Sequence, residues 1–472
     1  MIDINFIITI SKTDVWIIKE TEIRRYCKIL FYNIPKLEKI DFENVVLSKR
    51  IWVITILSSM GVFMDGYALS IFSSAYIYLK YSFLSVSIIT SIAASSIYIG
   101  MFVGSIVLGR LSDLLGRKRI YVYDLLITAI FLILTGISHN FIEFVAFQIL
   151  AGLGIGADYP ISSSIQAEFS PKKTRGKLLV FNIFSWTFGS IAFYLISIPI
   201  VMFFGDVSWR IMYITGAVIP LIVIISRRNI PESPYWLMLN RSEEEAETVV
   251  NEVKSVNTKE IVSPPSVQRG EPEMRGKNGV YRLILFTSVA WFCYDVASYG
   301  VWNYTPSLFI QEGSSYVATI LSTLLEEIPV FAGTIVCLLA IDKVGRKKLE
   351  SAGFLLAGIS LIVFGVISFH SVLPFFMIFS AFALMHFFHN TGPTNITYLY
   401  PAEIFPTRIR GTAMGVSTAA SRLGAILGVF AFPILISGLN ITYGLLFFAI
   451  FEIIGFGFTV VLAPETRGKS LS

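Results

Sequence analysis

The stretch AEFSPKKTRG at residues 167–176 recurs half a chain later as AEIFPTRIRG at residues 402–411. Ala, Glu, Pro, Arg and Gly occupy the same columns of both copies. Three such pairs, in the same order and with nearly the same separation along the chain, indicate two structurally equivalent halves. The other two pairs are residues 113–118 with 342–347, and residues 231–233 with 464–466.

The composition is that of a membrane protein. The 472 residues are 54% hydrophobic and only 15% charged, against about 25% charged residues in an ordinary soluble domain. The net charge of +5 comes from basic residues in short loops, which argues against binding to nucleic acid. Cys27, Cys293 and Cys337 are isolated and lack metal-ligand or redox spacing. We therefore expect neither a metal site nor a cofactor.

Twelve apolar segments are long enough to cross a hydrocarbon core, which needs about 20 residues. Six precede and six follow a polar connector at residues 227–280. The prediction is an all-α membrane protein with two pseudo-symmetric six-helix halves, residues 48–226 and 281–463. The segments lie near residues 51–79, 87–109, 120–138, 141–167, 178–204, 208–226, 281–309, 317–341, 349–369, 373–400, 411–437 and 441–462.

Basic residues between the segments predict the orientation in the membrane. Clusters of Lys and Arg follow segments two, four and eight, whereas the connections around Asn140, Ser371 and Asn440 contain none. The connector, both termini and the tail at residues 464–472 are therefore predicted to lie in the cytoplasm, in a multi-pass protein of the cell membrane. Residues 1–47 are either a small cytoplasmic segment or the product of a start codon assigned too early.

The loop after segment two resembles the loop signature of the major facilitator superfamily. It reads GRLSDLLGRKR at residues 109–119, and residues 342–347 repeat its core. The glycines permit a tight turn, and the basic cluster anchors the loop at the cytoplasmic face. The resemblance covers residues 48–472 and implies loops that gate alternating access. The gating residues that it implies are Gly109, Asp113, Gly116, Arg117, Asp342, Gly345 and Arg346.

Two branches of this superfamily share features with the chain. The motif PESPYWL at residues 231–237 and the tail PETRGKSL at residues 464–471 are similar to signatures of sugar porters. The intramembrane residues are more similar to the phosphate:proton symporters, with MDGY at residues 64–67 and GIGADYP at residues 154–160. Segment seven lacks the paired glutamines with which sugar porters hold hydroxyls. We therefore favour the phosphate-type branch.

Deep ionisable residues are candidate functional residues, because each costs roughly 2.5–3.5 kcal/mol near a bilayer centre on insertion scales. Asp65, Asp158 and Asp295 are such residues, and a structural ion pair or a helix–helix hydrogen bond is the alternative for each. Either Glu326 or Glu327 can face a cavity, but not both, because neighbours on a helix point about 100° apart. Glu326 joins the predicted set. Carboxyls in such places readily take up a proton near neutral pH.

Other candidates would complete a cavity between the halves. Arg422 is the deep cation, and either binds an anion or pairs with a carboxylate. Trp291, Asp295 and Tyr299 follow one another at intervals of four and share a helix face. Aromatic residues in spans can also be packing residues. The remaining candidates, which the phosphate-type resemblance places at the site, are Tyr159, Trp186, Asn390 and Asn395.

The chain departs from the phosphate-type pattern at three positions. Trp186 replaces a substrate-facing Gln of that branch, and Gln148 replaces an Arg. Thr394 precedes Asn395, whereas the branch has its Asn directly after the proline. An indole makes that wall of the cavity more apolar, so a related organic anion is expected as readily as phosphate itself.

The leading hypothesis is therefore a secondary active transporter that couples proton movement to uptake of a small anion. Its expected partners are the substrate, protons and the lipid bilayer, and we expect a monomer. A proton-coupled hexose porter and a non-transporting nutrient sensor of the same fold are the alternatives. An enzyme is not expected, because the sequence has no nucleophile–base pair, metal cluster or phosphate-binding Gly loop.

Overall fold

The computed structural model describes the two helical halves of the chain. The described residues are 47–82, 87–171, 173–228, 230–253, 277–304, 316–370, 375–438 and 441–467, all within the unit Phe42–Ser472. The N-terminal segment predicted over residues 1–47 lies outside them, apart from its last residue. Residues 254–276 of the predicted connector also lie outside them.

Seven α-helices form the N-terminal half, and a 3-10 turn at Gly205–Val207 separates α5 from α6. They are α1 (Lys49–Ser82), α2 (Ser87–Leu115), α3 (Arg117–Ile137), α4 (Phe141–Glu168), α5 (Arg175–Phe204), α6 (Ser208–Gly216) and α7 (Val218–Arg227).

Two short helices belong to the connector, and seven form the C-terminal half. The short helices are α8 (Pro234–Asn240) and α9 (Glu243–Val253). The others are α10 (Lys277–Trp302), α11 (Tyr316–Val344), α12 (Arg346–His370), α13 (Phe375–Thr391), α14 (Pro393–Ile404), α15 (Thr407–Gly438) and α16 (Ile441–Leu462).

The helices account for the twelve predicted spans. Ten stretches of the described residues are long and apolar enough to cross a membrane. One of them, Arg175–Arg227, has 53 residues and is far too long for one crossing, so it comprises two spans, α5 and α6 with α7. The twelfth span is α13 with α14, which Gly392 interrupts. The predicted all-α fold with six spans in each half is therefore confirmed.

The helix boundaries follow from the residues that occupy them. Gly116 and Gly345 precede α3 and α12 with φ angles of 102° and 99°, a left-handed region that residues with a Cβ rarely adopt. They are equivalent positions of the two halves. Asn140 caps α4 by accepting from the amide of Glu143, whose carboxylate accepts from the His139 amide in return. This reciprocal arrangement satisfies amides that a helix start leaves unpaired.

The two halves approach each other most closely where α2 crosses α15. A Cβ added to Gly109 would lie only 2.9 Å from the carbonyl oxygen of Gly411. Glycine at this crossing therefore lets the two backbones come close together. Farther along the interface α4 and α5 face α10, α11, α14 and α15, and the candidate site lies between them.

Candidate functional site

A cavity of about 60 Å³ lies between the two halves. Eight of the eleven residues predicted to bind substrate or couple protons line it. They come from α4 and α5 in the N-terminal half and from α10, α13, α14 and α15 in the C-terminal half. These residues are Tyr159, Trp186, Trp291, Asp295, Tyr299, Asn390, Asn395 and Arg422. Asp65, Asp158 and Glu326 do not line it.

A buried ion pair is the most polar feature of the cavity. Arg422 Nη1 on α15 lies 3.3 Å from Asp295 Oδ2 on α10, and both side chains are almost completely buried. The guanidinium also lies over two aromatic rings, 4.6 Å from the centroid of Tyr159 and 5.3 Å from that of Tyr299. Such cation–π contacts favour the charged form of the arginine. We call Arg422 and Asp295 the cavity pair.

The arginine of the cavity pair still has donors with which it could bind a ligand. Arg422 Nε and Nη1 make no hydrogen bond of normal geometry with the described residues, and Nη1 is held only by the ion pair with Asp295. An N–H group buried without an acceptor costs about 1–3 kcal/mol. A bound anion would supply acceptors to both nitrogens.

Eight of the twenty residues that line the cavity are aromatic. Trp186 from the N-terminal half and Trp302 from the C-terminal half have ring centroids 4.9 Å apart. Trp291 makes edge contacts with Tyr159 and Tyr398, each at 6.3 Å. Trp302 was not among the predicted residues, because aromatic residues in spans are common and its spacing gives no signal. The wall thus combines aromatic rings with polar and charged side chains.

The helix interruption at Gly392 presents amides to the cavity. Gly392 lies between α13 and α14 with φ −138° and ψ −85°, and Pro393 begins α14. Asn390 Nδ2 donates to the carbonyl of His386 at 2.8 Å, and Asn395 Nδ2 donates to the carbonyl of Asn390. The Asn395 side chain therefore satisfies a backbone acceptor that the broken helix leaves free.

Glu327, not Glu326, lines the cavity. Both belong to α11, and the prediction that only one of them can face the cavity holds because they point in different directions. Ser190 Oγ on α5 donates to Glu327 Oε1 at 2.6 Å. The predicted Glu326 does not line the cavity, since the sequence could not show how α11 is rotated.

Asp158 lies outside the cavity in a separate cluster of charges. Arg227 Nη2 donates to Asp158 Oδ1 at 2.5 Å, and Arg227 Nη1 lies 3.4 Å from Asp124 Oδ1. Ser162 Oγ also donates to Asp158, and the guanidinium lies 3.3 Å from the ring centroid of Tyr121. We call Arg227, Asp124 and Asp158 the Arg227 cluster. The predicted substrate role of Asp158 is not matched by its position, which fits the structural ion-pair alternative.

Sequence reasoning missed Arg227 because the predicted sixth segment ended at residue 226. The helix α7 continues through Arg227, whose side chain is only 1% exposed. An unbroken apolar run up to this arginine is the signal that could have identified it.

Asp65 lies between the Arg227 cluster and the cavity pair. It is completely buried on α1, and neither carboxylate oxygen has a hydrogen-bond partner in the part of the chain that the structure describes. Its electrostatic neighbours include Asp158, Arg227 and Arg422. A buried carboxyl without a partner favours the neutral, protonated form. Asp65 therefore fits a proton-carrying role better than direct binding of substrate.

The predicted gating loops form a seal at one end of the cavity, which we call the motif end. Arg117 Nη1 pairs with Asp113 at 2.7 Å, and its Nη2 donates to the Thr407 carbonyl of the opposite half. Arg410 Nη1 pairs with Glu168 at 2.7 Å, again between halves. All four charged side chains are at most 3% exposed. This part of the seal is dry and holds the halves together.

The repeated motif makes a more exposed contact. Arg346 pairs with Glu403 at 2.9 Å and with Asp342 at 3.4 Å, within the C-terminal half. The contact to the other half is Lys177 Nζ to Asp342 Oδ2 at 3.9 Å, with side chains 55% and 26% exposed. Glu403 thus holds the loop arginine Arg346 within its own half.

The two halves also make contact at the opposite end of the cavity. Asn303 Nδ2 donates to the Tyr98 hydroxyl at 2.9 Å, and Ser91 Oγ donates to the Phe430 carbonyl at 3.4 Å. The rings of Tyr76 and Tyr304 meet with centroids 6.0 Å apart. Each contact joins the two halves. Among the described residues, the halves therefore meet at both ends of the cavity.

Comparison with known proteins places the chain among transporters. A putative metabolite transport protein of Escherichia coli K12 is 28% identical over 92% of this chain and 96% of its own length. A probable inorganic phosphate transporter of Arabidopsis thaliana is 29% identical over 88% of this chain and 92% of its own. The inorganic phosphate transporter PHO84 of Saccharomyces cerevisiae is 29% identical, over 79% and 75%.

Solved structures share the fold. The proton:xylose symporter XylE bound to 6-bromo-6-deoxy-D-glucose superposes with a TM-score of 0.75 at 22% identity, over 89% of this chain and 97% of the symporter. Residues 53–472 match the family model described as sugar (and other) transporter. The chain therefore belongs to the sugar (and other) transporter family of the major facilitator superfamily.

Proposed function

We propose that this chain is a proton-coupled secondary transporter that takes up phosphate or a related small organic anion by alternating access. The observation that carries the proposal is Arg422, a buried cation that faces the cavity between the halves and whose Nε and Nη1 make no hydrogen bond of normal geometry with the described residues. A guanidinium binds phosphate and carboxylate through charge-assisted hydrogen bonds of matched geometry. Relatives from a plant and from yeast that are named as inorganic phosphate transporters support the same substrate class.

Asp295 is proposed to couple the anion to a proton. An anion at Arg422 would approach the carboxylate of Asp295, and two like charges close together at low dielectric repel by several kcal/mol. The conflict disappears when Asp295 is protonated while the anion is bound. Loss of that proton then weakens anion binding, and the effect is reciprocal because the two equilibria are linked.

Alternating access is proposed to open one end of the cavity at a time. The motif end is proposed to face the cytoplasm with both termini and the connector, in a monomer that spans the cell membrane. The chain would thus work as a carrier rather than as an enzyme. Cysteines introduced near Ser371 and Asn440 should react with impermeant thiol reagents from outside, and one at Ser255 should not. The reverse pattern would contradict this orientation.

A hexose porter is the second candidate, favoured by the loop motifs. Glu232 and Glu465, from the motifs similar to sugar porters, accept from the first amides of α3 and α12 respectively. The cavity itself favours the anion. No glutamine occurs among the described residues that line it. Its volume of about 60 Å³ holds about five waters, which is nearer to the five heavy atoms of phosphate than to the twelve of a hexose.

Counterflow in proteoliposomes separates the two candidates. Vesicles loaded with unlabelled phosphate should take up labelled phosphate, and vesicles loaded with glucose should not take up labelled glucose. A pH gradient, acidic outside, should drive phosphate accumulation that a protonophore abolishes. Glucose counterflow without phosphate counterflow would contradict the proposal in favour of the hexose porter. Accumulation that needs sodium and ignores the protonophore would contradict the proton coupling.

A further inference from the structure

Glu327 is a second carboxyl in the cavity, and nothing on the opposite wall balances its charge. It lies twelve residues into α11, which begins at Tyr316 and is 29 residues long. Only 4% of its surface is exposed. Within the described residues no Lys, Arg or His lies within 4.0 Å of its carboxylate. Arg422 is already paired with Asp295, so an ionised Glu327 would leave the cavity with one uncompensated negative charge.

Glu327 lies at the seam between the two halves, so a negative charge on it would affect the contact between them. Its Oε1 accepts from Ser190 on α5, and its Oε2 makes no hydrogen bond of normal geometry with the described residues. One turn farther along α11, the ring of Phe331 contacts Phe184 and Phe188 of α5, with centroids 4.9 Å and 6.0 Å away. The seam between α5 and α11 is thus aromatic at this level, with Glu327 and Ser190 as a polar contact across it.

The surroundings of Glu327 offer little that could stabilise its charge in the closed state. Ser190 donates one hydrogen bond, and the indole of Trp302 lies beside the carboxyl. Glu326 on its own helix and Tyr194 on α5 interact with it. The other titratable groups that line the same cavity are Tyr159 on α4, Tyr294, Asp295 and Tyr299 on α10, His386 on α13 and Tyr398 on α14, with Arg422 on α15 as the cation. An unpaired buried charge is strongly destabilising. The closed seam therefore requires the neutral acid, and ionisation requires water.

We propose that Glu327 carries a second proton, and that its ionised form holds the cavity open at the end opposite the motif end. Protonation would allow α5 and α11 to close over the bound anion, with the Glu327 hydroxyl free to donate to it. This inference rests on the proposed function for the identity of the cargo. It adds a proton whose binding is linked to closure, distinct from the Asp295 proton that is linked to anion affinity.

Labelling of an introduced cysteine, without any substrate, tests whether ionised Glu327 holds the cavity open at the end opposite the motif end. Tyr76→Cys, in a chain with Cys27→Ser, places a thiol at the seal opposite the motif end. Because a maleimide reacts with the thiolate, its labelling rate rises with pH at any accessible cysteine, so each rate is divided by that of a free thiol at the same pH. In proteoliposomes this ratio should rise by about tenfold as the pH rises from about 5 to about 8, a range in which buried carboxyls titrate. Adding Glu327→Gln, which mimics the neutral acid, should keep the ratio low throughout. Glu326→Gln, the same change on the face that the cavity does not reach, should leave the pH response intact.

The outcomes of the labelling experiment are decisive. A Glu327→Gln variant with the same pH response as its parent overturns the proposal, and so does loss of the response in Glu326→Gln. If Glu327→Gln fails to fold, Ser190→Ala provides the test. Removing the one donor makes ionisation harder, so the pH response should move to higher pH. An unmoved response would overturn the proposal.

Transport of inorganic phosphate tests whether Glu327 carries a second coupled proton. One coupled proton raises the attainable accumulation ratio by about tenfold per pH unit. Glu327→Gln should therefore lower the phosphate accumulation ratio by about tenfold per pH unit. Unchanged accumulation would overturn the second proton. A wild-type protein that fails to exchange phosphate would instead contradict the proposed function, while the labelling experiment would still decide the role of Glu327.

Discussion

The two halves of the molecule each bury an arginine with aspartates, and the two sites differ in how completely the arginine is satisfied. In the N-terminal half, Arg227 donates to Asp158 and to the Tyr121 carbonyl, lies 3.4 Å from Asp124, and covers the Tyr121 ring. In the C-terminal half, Arg422 has the single carboxylate of Asp295 at 3.3 Å.

The difference separates a structural site from a binding site. The Arg227 cluster lies wholly within one half and does not line the cavity, so it can stabilise that half through every state of the transport cycle. The cavity pair faces the space between the halves, and Nε and Nη1 of Arg422 make no hydrogen bond of normal geometry in the described part of the chain. The same residue types thus serve packing in one half and anion binding in the other.

Removing the cavity arginine should have the largest effect on transport. Arg422→Gln deletes the charge that binds the anion, and charge-assisted hydrogen bonds worth about 3 kcal/mol correspond to roughly a 100-fold loss of phosphate counterflow. The melting temperature should change little, because Asp295 can take up a proton when its partner is gone. Counterflow within about twofold of wild type would show that Arg422 is only structural.

Removing the other arginine should affect stability instead. Arg227→Gln leaves Asp158 and Asp124 buried without their cation, which should destabilise the N-terminal half by roughly 3–5 kcal/mol. Thermal unfolding in detergent measures this loss, with Arg422→Gln as the matched control. If Arg227→Gln were stable but inactive, the assignment of the two sites would have to be reversed.

The motif end contains two equivalent aspartates, one in a buried contact between the halves and one in a more exposed contact. Asp113 accepts from the Thr412 amide and hydroxyl of the opposite half at 2.7 and 2.6 Å, whereas the more exposed Asp342 reaches the other half through Lys177. Asp113→Asn should therefore open the motif end about tenfold more often, and Asp342→Asn by at most about threefold. The labelling rate of Thr187→Cys, at a position that lines the cavity, by impermeant reagents in inside-out vesicles compares the two. Equal effects would mean that burial does not distinguish these seals.

Substituting Glu232, a glutamate that caps a helix, should give the smallest effect, a small change in melting temperature. Burial raises the pKa of Glu232 above its ordinary value. Because the folded state then holds the proton more tightly than the unfolded state, its stabilising effect is present at low pH and is lost as the pH rises through the raised pKa. The melting temperature of the parent relative to Glu232→Gln should therefore fall by about 2 °C between about pH 4 and about pH 7. A difference that grows with pH would contradict this sign.

The fold was predictable because it depends on features that repeat. The duplicated motifs and the lengths of the apolar segments are properties of the sequence, and they predicted twelve spans in two halves. Eight of the twenty residues that line the cavity were predicted as well, among them Trp291 and Asp295 from their helical spacing and Arg422 as the deep cation. Broken spans were harder, because a chain that bends at Gly392 still reads as one apolar run.

The partners of buried charges were not predictable. Asp158 and Asp295 look alike in the sequence, and only the rotation of their helices and the position of Arg227 separate their environments. The choice between Glu326 and Glu327 was not predictable for the same reason, because a rotation of about 100° exchanges them. Tyr98 and Asn303 join the halves through a single contact, and no pattern in the sequence identifies such residues.

The substitution Asp295→Asn tests the central claim most directly, because it mimics the protonated carboxyl next to Arg422. In proteoliposomes the variant should keep phosphate counterflow, since the anion site stays assembled. Its accumulation of phosphate against a pH gradient should fall by about tenfold per pH unit, because one coupled proton is lost. Accumulation at the wild-type level with unchanged pH dependence would contradict the account and move the coupling away from Asp295.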